Sequence, residues 1–503
     1  MRTKNFLEHF IQYIFIGVFT LIFIGNFFVT ADFYLLNDLK IIPELNARVV
    51  YFNNYWWILF VLLYFFSLIL IKKTSAEKLF FFFSIIYLFL ALKFMFSSVN
   101  LTCIDSQTSL VLSNALLEKD YQTFLTFDNK YIQLFPYQLG LVLYNSLFLK
   151  MFNNSNFIVK VINIFYILFT NYYLYKIVNK IFKNNNINKL TVMLSFSFIP
   201  LFFYFSFIYG NIPGLCCITI SFYHFICLYK DEKPTKHSTL MIIFSVLACI
   251  LKQNYMIASI AMFIAYFLKW LSKKDLTIIS VVILLVLSLT CNSILKKSFE
   301  NITGISLGKG TPMTSYLAMG TDINNDENDM LGGCGWWDGS TYYDLSDHNY
   351  DYDQTSEYLI QKLKTNVSNT IANPKKATTF YLKKISSMWN NPTFDFIYNV
   401  RCTFLESNDH LIDALLEADN NITKDIATSY CKAFMMIVYF FSLIFALRRL
   451  KQHPATILFL LYTLGGFFFH LFMEAKGQYI FNYFYFLIPL ASYELNNLLN
   501  KER

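Results

Sequence analysis

Charge is scarce in this sequence. Only 15% of its 503 residues are Asp, Glu, Lys or Arg, against roughly 25% in an ordinary soluble protein. Hydrophobic residues reach 56% and the mean hydropathy is +0.43. That balance excludes a soluble enzyme and a disordered chain. Cysteine is scarce and unpatterned. There are 9, an odd number, with no Cys-x-x-Cys pair and no Cys/His spacing that suggests zinc, so a disulfide-rich secreted module is excluded as well. No internal repeat recurs at a fixed period. The first apolar run, from about Phe10 to Thr30, is too long for a signal-peptide core, and no convincing small-residue cleavage site follows it. It is expected to remain as a first span.

What the sequence has instead is a series of long apolar runs. A helix needs roughly 20 residues to cross the hydrocarbon. Runs of about that length cover 10–30, 54–72, 78–97, 157–177, 190–208, 211–230, 238–252, 254–271, 276–294, 432–448, 455–472 and 478–496. A further stretch, 138–152, is ambiguous. Basic residues resolve it. Arg2 and Lys4, then Lys72, Lys73 and Lys78, then Lys180, Lys183 and Lys189 mark three groups. Lys230, Lys233 and Lys236, Lys269, Lys273 and Lys274, Arg448, Arg449 and Lys451, and Lys501 and Arg503 mark the others. All fall on one side if 138–152 lies half-embedded rather than crossing, as the positive-inside rule requires. The expectation is an all-α polytopic plasma-membrane protein with about twelve transmembrane helices and both termini cytoplasmic. The net charge of +8 sits in short loops, where it sets topology rather than binding nucleic acid.

Two long polar regions, 98–156 and 295–430, then face outward. In the second, Thr355-Ser-Glu opens a helix, 377–390 is amphipathic, and Pro374 separates the two. Asn100, Asn301, Asn366 and Asn421 begin glycosylation sequons on this side. Asp105 lies a few residues beyond a span end, within reach of a lipid headgroup. A carboxylate there can deprotonate an incoming hydroxyl, or it can simply open an amphipathic helix as its cap.

Several segments widen this reading. After Asp105 come Ala115-Leu-Leu-Glu-Lys-Asp120-Tyr121 and Tyr131-Ile-Gln-Leu-Phe-Pro136-Tyr137-Gln138-Leu-Gly140. Thr311-Pro-Met-Thr-Ser-Tyr-Leu-Ala-Met319-Gly320 and Gly335-Trp336-Trp337-Asp338-Gly339 follow. Phe380-Tyr-Leu-Lys-Lys384, Trp389-Asn-Asn-Pro-Thr393 and Glu474-Ala-Lys-Gly-Gln478-Tyr479 complete the set. In order and sidedness this resembles bacterial membrane glycosyltransferases of the GT-C superfamily, the group that includes protein O-mannosyltransferases and aminoarabinose transferases, in its Gram-positive branch. The match departs in three places. Gln478 stands where the family often has Arg, a His common before Met-Gly is missing, and two extra spans precede the one leading to Asp105.

The resemblance implies a GT-C-like bundle with short juxtamembrane helices in its outer loops. Residues 1–77 would be extra N-terminal helices, and 78–294 the transmembrane core with its catalytic first outer loop at 98–156. Residues 295–430 would be the extracytoplasmic loop region, and 431–503 the C-terminal helices. It implies transfer of a sugar from a polyprenyl-phosphate donor to a cell-envelope glycan, lipid or protein at the outer face of the bilayer. Asp105 would be the general base and Lys252 the donor-phosphate contact, unless Lys252 only snorkels to the interface. Tyr131, Gln138, Trp336, Trp337, Asp338, Glu474 and Tyr479 would contact substrate. For the tryptophans the alternative is an aromatic belt or a packed loop core. For Glu474 with Lys476 it is a local ion pair. Lys383 and Lys384 suit anionic lipid. His224 and His470, inside spans without partners at metal spacing, read as packing or hydrogen-bonding residues. Asp322 and Asp326 read as solvated loop charge. No metal site and no certain cofactor is indicated, and a divalent metal is left open. Two other functions compete: a polysaccharide polymerase, and a lipid-linked glycan transporter or flippase. A transporter should carry ionisable residues at mid-membrane, and these spans are nearly uncharged.

Overall fold

The computed structural model describes residues 2–34, 46–52, 54–70, 74–97, 102, 104–152, 155–325, 333–401, 410–416 and 422–500. The apolar runs form helices, and the chain begins with α1 (Arg2–Phe28). A two-stranded antiparallel ribbon follows, β1 (Val29–Tyr34) against β2 (Asn46–Tyr51), with Val29 opposite Tyr51. Then come α2 (Trp56–Leu70), α3 (Ala76–Phe96), α4 (Ile104–Glu118), α5 (Tyr121–Leu134), α6 (Leu139–Met151) and α7 (Asn156–Phe182). The centre is built from α8 (Asn185–Phe196), α9 (Ile199–Phe203), α10 (Asn211–Tyr229), α11 (Pro234–Leu251), α12 (Met256–Lys273) and α13 (Ile278–Thr303).

The long polar region folds into short helices: α14 (Met313–Thr321), α15 (Ser340–Ser346), α16 (Tyr352–Ala372), α17 (Pro374–Trp389), α18 (Phe396–Arg401) and α19 (His410–Leu416). Asp351 caps α16 by accepting the N–H groups of Asp353 and Gln354, and Pro374 opens α17 as the sequence expects. The chain ends with α20 (Ile422–Arg448), α21 (Ile457–Phe472), α22 (Gly477–Tyr485) and α23 (Ile488–Asn500).

The protein is a helical polytopic membrane protein. Among the described residues, 9 helices are long and apolar enough to cross a bilayer, or 10 if α8 and α9 form one broken span. The count of twelve is therefore not reached by length alone, and three expected spans differ from expectation. Among the described residues, the 54–72 run gives the 15 residues of α2, about 22 Å of helix. The 190–208 run bends by 56° between α8 and the α9 segment. The 478–496 run divides into α22 and α23. Pro200 and Pro489 stand at the second residue of α9 and α23. A ring there removes a backbone donor and clashes with the preceding turn, so each proline starts a helix rather than continuing one.

The stretch 138–152 becomes α6, whose 13 residues rise about 20 Å, short of the roughly 30 Å hydrocarbon core. It packs on α4 through polar contacts: Ser113 Oγ donates to the Val142 carbonyl at 3.0 Å, and Ser146 Oγ donates to the Ser113 carbonyl at 3.2 Å. α10 and α20 are the most enclosed spans, while α1, α3 and α13 turn most of their side chains outward, as helices facing lipid do. The short-helix region is anchored to this bundle. Trp389 is fully buried with its ring edge-on to Phe19 at 5.4 Å, and the Tyr439 hydroxyl donates to the Trp389 carbonyl at 3.0 Å. Asn366, one of the sequon asparagines, is buried and donates to the Ala318 carbonyl at 2.8 Å, so it is closed to glycosylation in this fold. Asn100, Asn421 and Asp326 lie outside the described residues.

Candidate active site

Asp105 stands in the first turn of α4, where the free N–H groups of a helix start favour a negative charge. Its carboxylate is hydrogen-bonded by the Tyr209 hydroxyl and lies within electrostatic reach of Lys476, Lys252 and Asp128. Burial holds its carboxyl above the ordinary carboxylate range, opposed by the attraction of Lys476 and Lys252.

Each of these neighbours is delivered by a local feature of the chain. Gly210 precedes α10, and a Cβ on it would lie 2.0 Å from the Leu251 carbonyl. Only a glycine permits that approach, and it brings Tyr209 and Asn211 against Lys252. The Lys252 ammonium donates to Asn211 Oδ1 and sits 4.9 Å from the ring centres of both Tyr209 and Tyr479, a cation held between two aromatic faces. Tyr131 is buried and hydrogen-bonded to Tyr209, and Gln138 Nε2 donates to the same Tyr209 hydroxyl. The α5 helix breaks just before Tyr131: Asp128, Asn129 and Lys130 are all left-handed, at φ +49°, +53° and +65°. Thr108 holds Asp128 by donating to Oδ2 at 2.7 Å. Three consecutive residues in that region store strain of about 1–2 kcal/mol each, next to the carboxylate pair Asp105 and Asp128.

The other wall is the turn between α21 and α22. Lys384, fully buried on α17, donates to the carbonyls of Gly320 and Met473, the latter at 2.7 Å. The Ala475 N–H donates to the Gly335 carbonyl at 2.8 Å. Asp395 accepts the N–H of Gln478 at 2.8 Å, that of Gly477, and Asn391 Nδ2 at 2.6 Å, so it caps the start of α22. These contacts present Glu474 and Tyr479 to a pocket of about 200 Å³, also lined by Tyr137, Gln138, Tyr209 and Lys252. Lys476 is buried in the same turn, within reach of both Asp105 and Asp395.

Of the residues singled out from sequence, Asp105, Tyr131, Gln138, Lys252, Glu474 and Tyr479 therefore come together. Trp336, Trp337 and Asp338 are not among the residues lining this pocket. Trp336 is buried with 1% of its surface exposed, and its indole N–H donates to Ser387 Oγ at 2.9 Å. It is a core residue, not a platform for a sugar. Trp337 donates to Thr341 Oγ1 at 3.0 Å, and Asp338 accepts the Ser340 N–H at 2.9 Å. Both fold the turn into α15. Lys384 is likewise no lipid contact, because its ammonium is spent on two buried carbonyls. His224 is not isolated: its Nδ1 lies 2.7 Å from His237 Nδ1.

Sequence reasoning missed Tyr209, Asp128 and Asp395. The Asp-Asn pair at 128–129 was a readable signal, since these residues tolerate the left-handed region best. Tyr209 and Asp395 gave none, sitting in aromatic-rich runs. No protein-family model, curated protein or solved structure matches the chain.

Proposed function

We propose that this protein is an integral membrane glycosyltransferase that moves a sugar from a polyprenyl-phosphate donor to a hydroxyl of a cell-envelope glycan, lipid or protein. The observation that carries this reading is the juxtaposition of the Asp105 carboxylate with Lys252 and Lys476 beside one pocket. In the proposed step the acceptor hydroxyl gives its proton to Asp105 while its oxygen bonds to the anomeric carbon. The bond from that carbon to the phosphate oxygen breaks, and the electron pair leaves with the polyprenyl phosphate. Lys252 and Lys476 meet the charge that develops there as cations already in place before the reaction. Gln138, Glu474 and Tyr479 line the pocket and hold the sugar hydroxyls. Tyr131 acts through Tyr209, which orients the base. No cofactor is required by this scheme. We place the enzyme in the plasma membrane with both termini cytoplasmic and the Asp105 end outside.

The test is a comparison of envelope glycans, lipids and glycoproteins from wild-type and deletion cells. One sugar substituent should vanish on deletion and return with the wild-type gene but not with Asp105→Asn. An unchanged profile in the deletion overturns the proposal.

A further inference from the structure

The helices α10 and α11 run from the Lys252 end of the bundle to a tight turn about 28 Å away, the length of the 19-residue α10. The chain reverses there within four residues. The Glu232 N–H donates to the Cys227 carbonyl at 3.1 Å, Asp231 and Lys233 take left-handed φ values of +62° and +35°, and Pro234 starts α11. This turn faces His224 and Cys227, which are three residues apart and so share one side of α10, towards His237 in the first turns of α11.

Three metal-binding side chains meet as a result, with a fourth in contact with one of them. One ligand atom each from Cys227, Glu232 and His237 all lie within 4.8 Å of one another. His224 Nδ1 is 2.7 Å from His237 Nδ1. Cys227, His224 and His237 are buried and Glu232 is half-exposed. We infer that Cys227, Glu232 and His237 form a binding site for a transition-metal dication of the zinc class, which clasps α10 to α11, with His224 holding the His237 ring.

The donor set selects the ion. One thiolate, one imidazole and one carboxylate suit zinc, whereas magnesium and calcium require oxygen ligands. The His224 contact on His237 Nδ1 orients the His237 ring, as the partner of a metal-bound histidine does. Glu232 gives Oε2 to Lys180, which leaves Oε1 for the ion. The sulfur–metal bond forms as the Cys227 thiol loses its proton to water. The dication with one thiolate and one carboxylate is then neutral overall, so the nearby Lys176, Lys180, Lys233 and Lys236 do not repel it. Three protein ligands leave the fourth position of a tetrahedral ion to a water molecule.

The full-length protein, purified in detergent and stripped with a chelator, is titrated with cobalt(II). One equivalent should bind, with tetrahedral ligand-field bands and a thiolate-to-cobalt charge-transfer band. Cys227→Ser should lose that band. Glu232→Gln keeps the side-chain size on this half-exposed turn and should keep the band but weaken binding by more than about tenfold. Zinc should displace the cobalt from the wild type. A folded wild type that binds no cobalt overturns the inference, as does a charge-transfer band that survives in Cys227→Ser. So does Glu232→Gln binding as tightly as the wild type.

Discussion

The Asp395 carboxylate accepts the Gln478 N–H at 2.8 Å across 83 residues of sequence. It joins the segment that follows Trp389-Asn-Asn-Pro-Thr393 to the turn that carries Glu474 and Tyr479. Burial pushes the Asp395 carboxyl from 3.8 up to about 6, against the opposing pull of the Gln478 N–H, Lys476 and Asn391. A carboxyl whose folded value lies above its unfolded one contributes stability that is fully present below about 3.8 and is lost as pH rises through about 6. The thermal stability of the wild type relative to Asp395→Asn should therefore increase from pH 7 to pH 4, by on the order of 2–3 kcal/mol. A difference that does not change over this range would mean that Asp395 titrates as an ordinary carboxylate.

Lys384 fixes the same turn from the other side. Lys384→Met keeps the apolar stem but leaves the Gly320 and Met473 carbonyls without their donor. Each unsatisfied buried carbonyl costs about 1–3 kcal/mol. The variant should melt several degrees lower and lose transfer activity, because Glu474 and Tyr479 are no longer held against the pocket. Unaltered melting in detergent would show that the two carbonyls find other partners.

The helices were legible because apolar runs and their length decide them. Thr355 and Pro374 marked α16 and α17, but α16 starts three residues earlier, at Tyr352 under the Asp351 cap. The breaks were marked by Pro200 and Pro489, but hydropathy averages over a proline and hides it. The site was half legible. Asp105 and Lys252 stand at run ends, where a charge is conspicuous. Tyr209 and Asp395 act through partners brought close only by the tertiary fold, such as Gly210 against the Leu251 carbonyl, and no local pattern announces such a contact. Trp336 shows the converse. Its neighbours Gly335 and Trp337 gave it the look of an exposed sugar platform, while its place under Lys384 and Ser387 depends on a helix about fifty residues later.

The sidedness we propose can be read by cysteine labelling. Lys375 on α17 and Ser272 near the end of α12 are both exposed. With an impermeant maleimide on intact cells, Lys375→Cys should react above the parent's own signal, and Ser272→Cys should react only after permeabilisation. Labelling at position 272 but not 375 in intact cells would invert the arrangement.

Tyr209→Phe removes the hydroxyl that bonds Asp105, together with its contacts to Gln138 and Tyr131. The Tyr209 hydroxyl stabilises the charged form of Asp105, so its loss should raise the Asp105 pKa further. The acid limb of the pH–rate profile should move to higher pH, with activity at high pH much less affected. A profile that drops uniformly at all pH values would assign Tyr209 to packing instead.

Asp105→Asn asks whether the carboxylate acts as a base or only starts α4. Asparagine matches aspartate in size, and losing the charge from the first turn of α4 costs about 0.3–1 kcal/mol, so the fold and the α4 register should survive. It cannot take a proton near neutral pH, and losing a general base commonly costs 10²–10⁴-fold in rate. The purified variant should be monodisperse, melt within a few degrees of the wild type, and transfer sugar at least about a hundredfold more slowly from a matched polyprenyl-phosphate donor. Because burial holds the Asp105 carboxyl above the usual range, the wild-type rate should fall as acid protonates it, at a pH higher than an exposed aspartate would give. The variant's residual rate should lack that limb. Transfer at a near-wild-type rate by Asp105→Asn would remove it as the base and turn attention to Asp128, which Thr108 holds beside it.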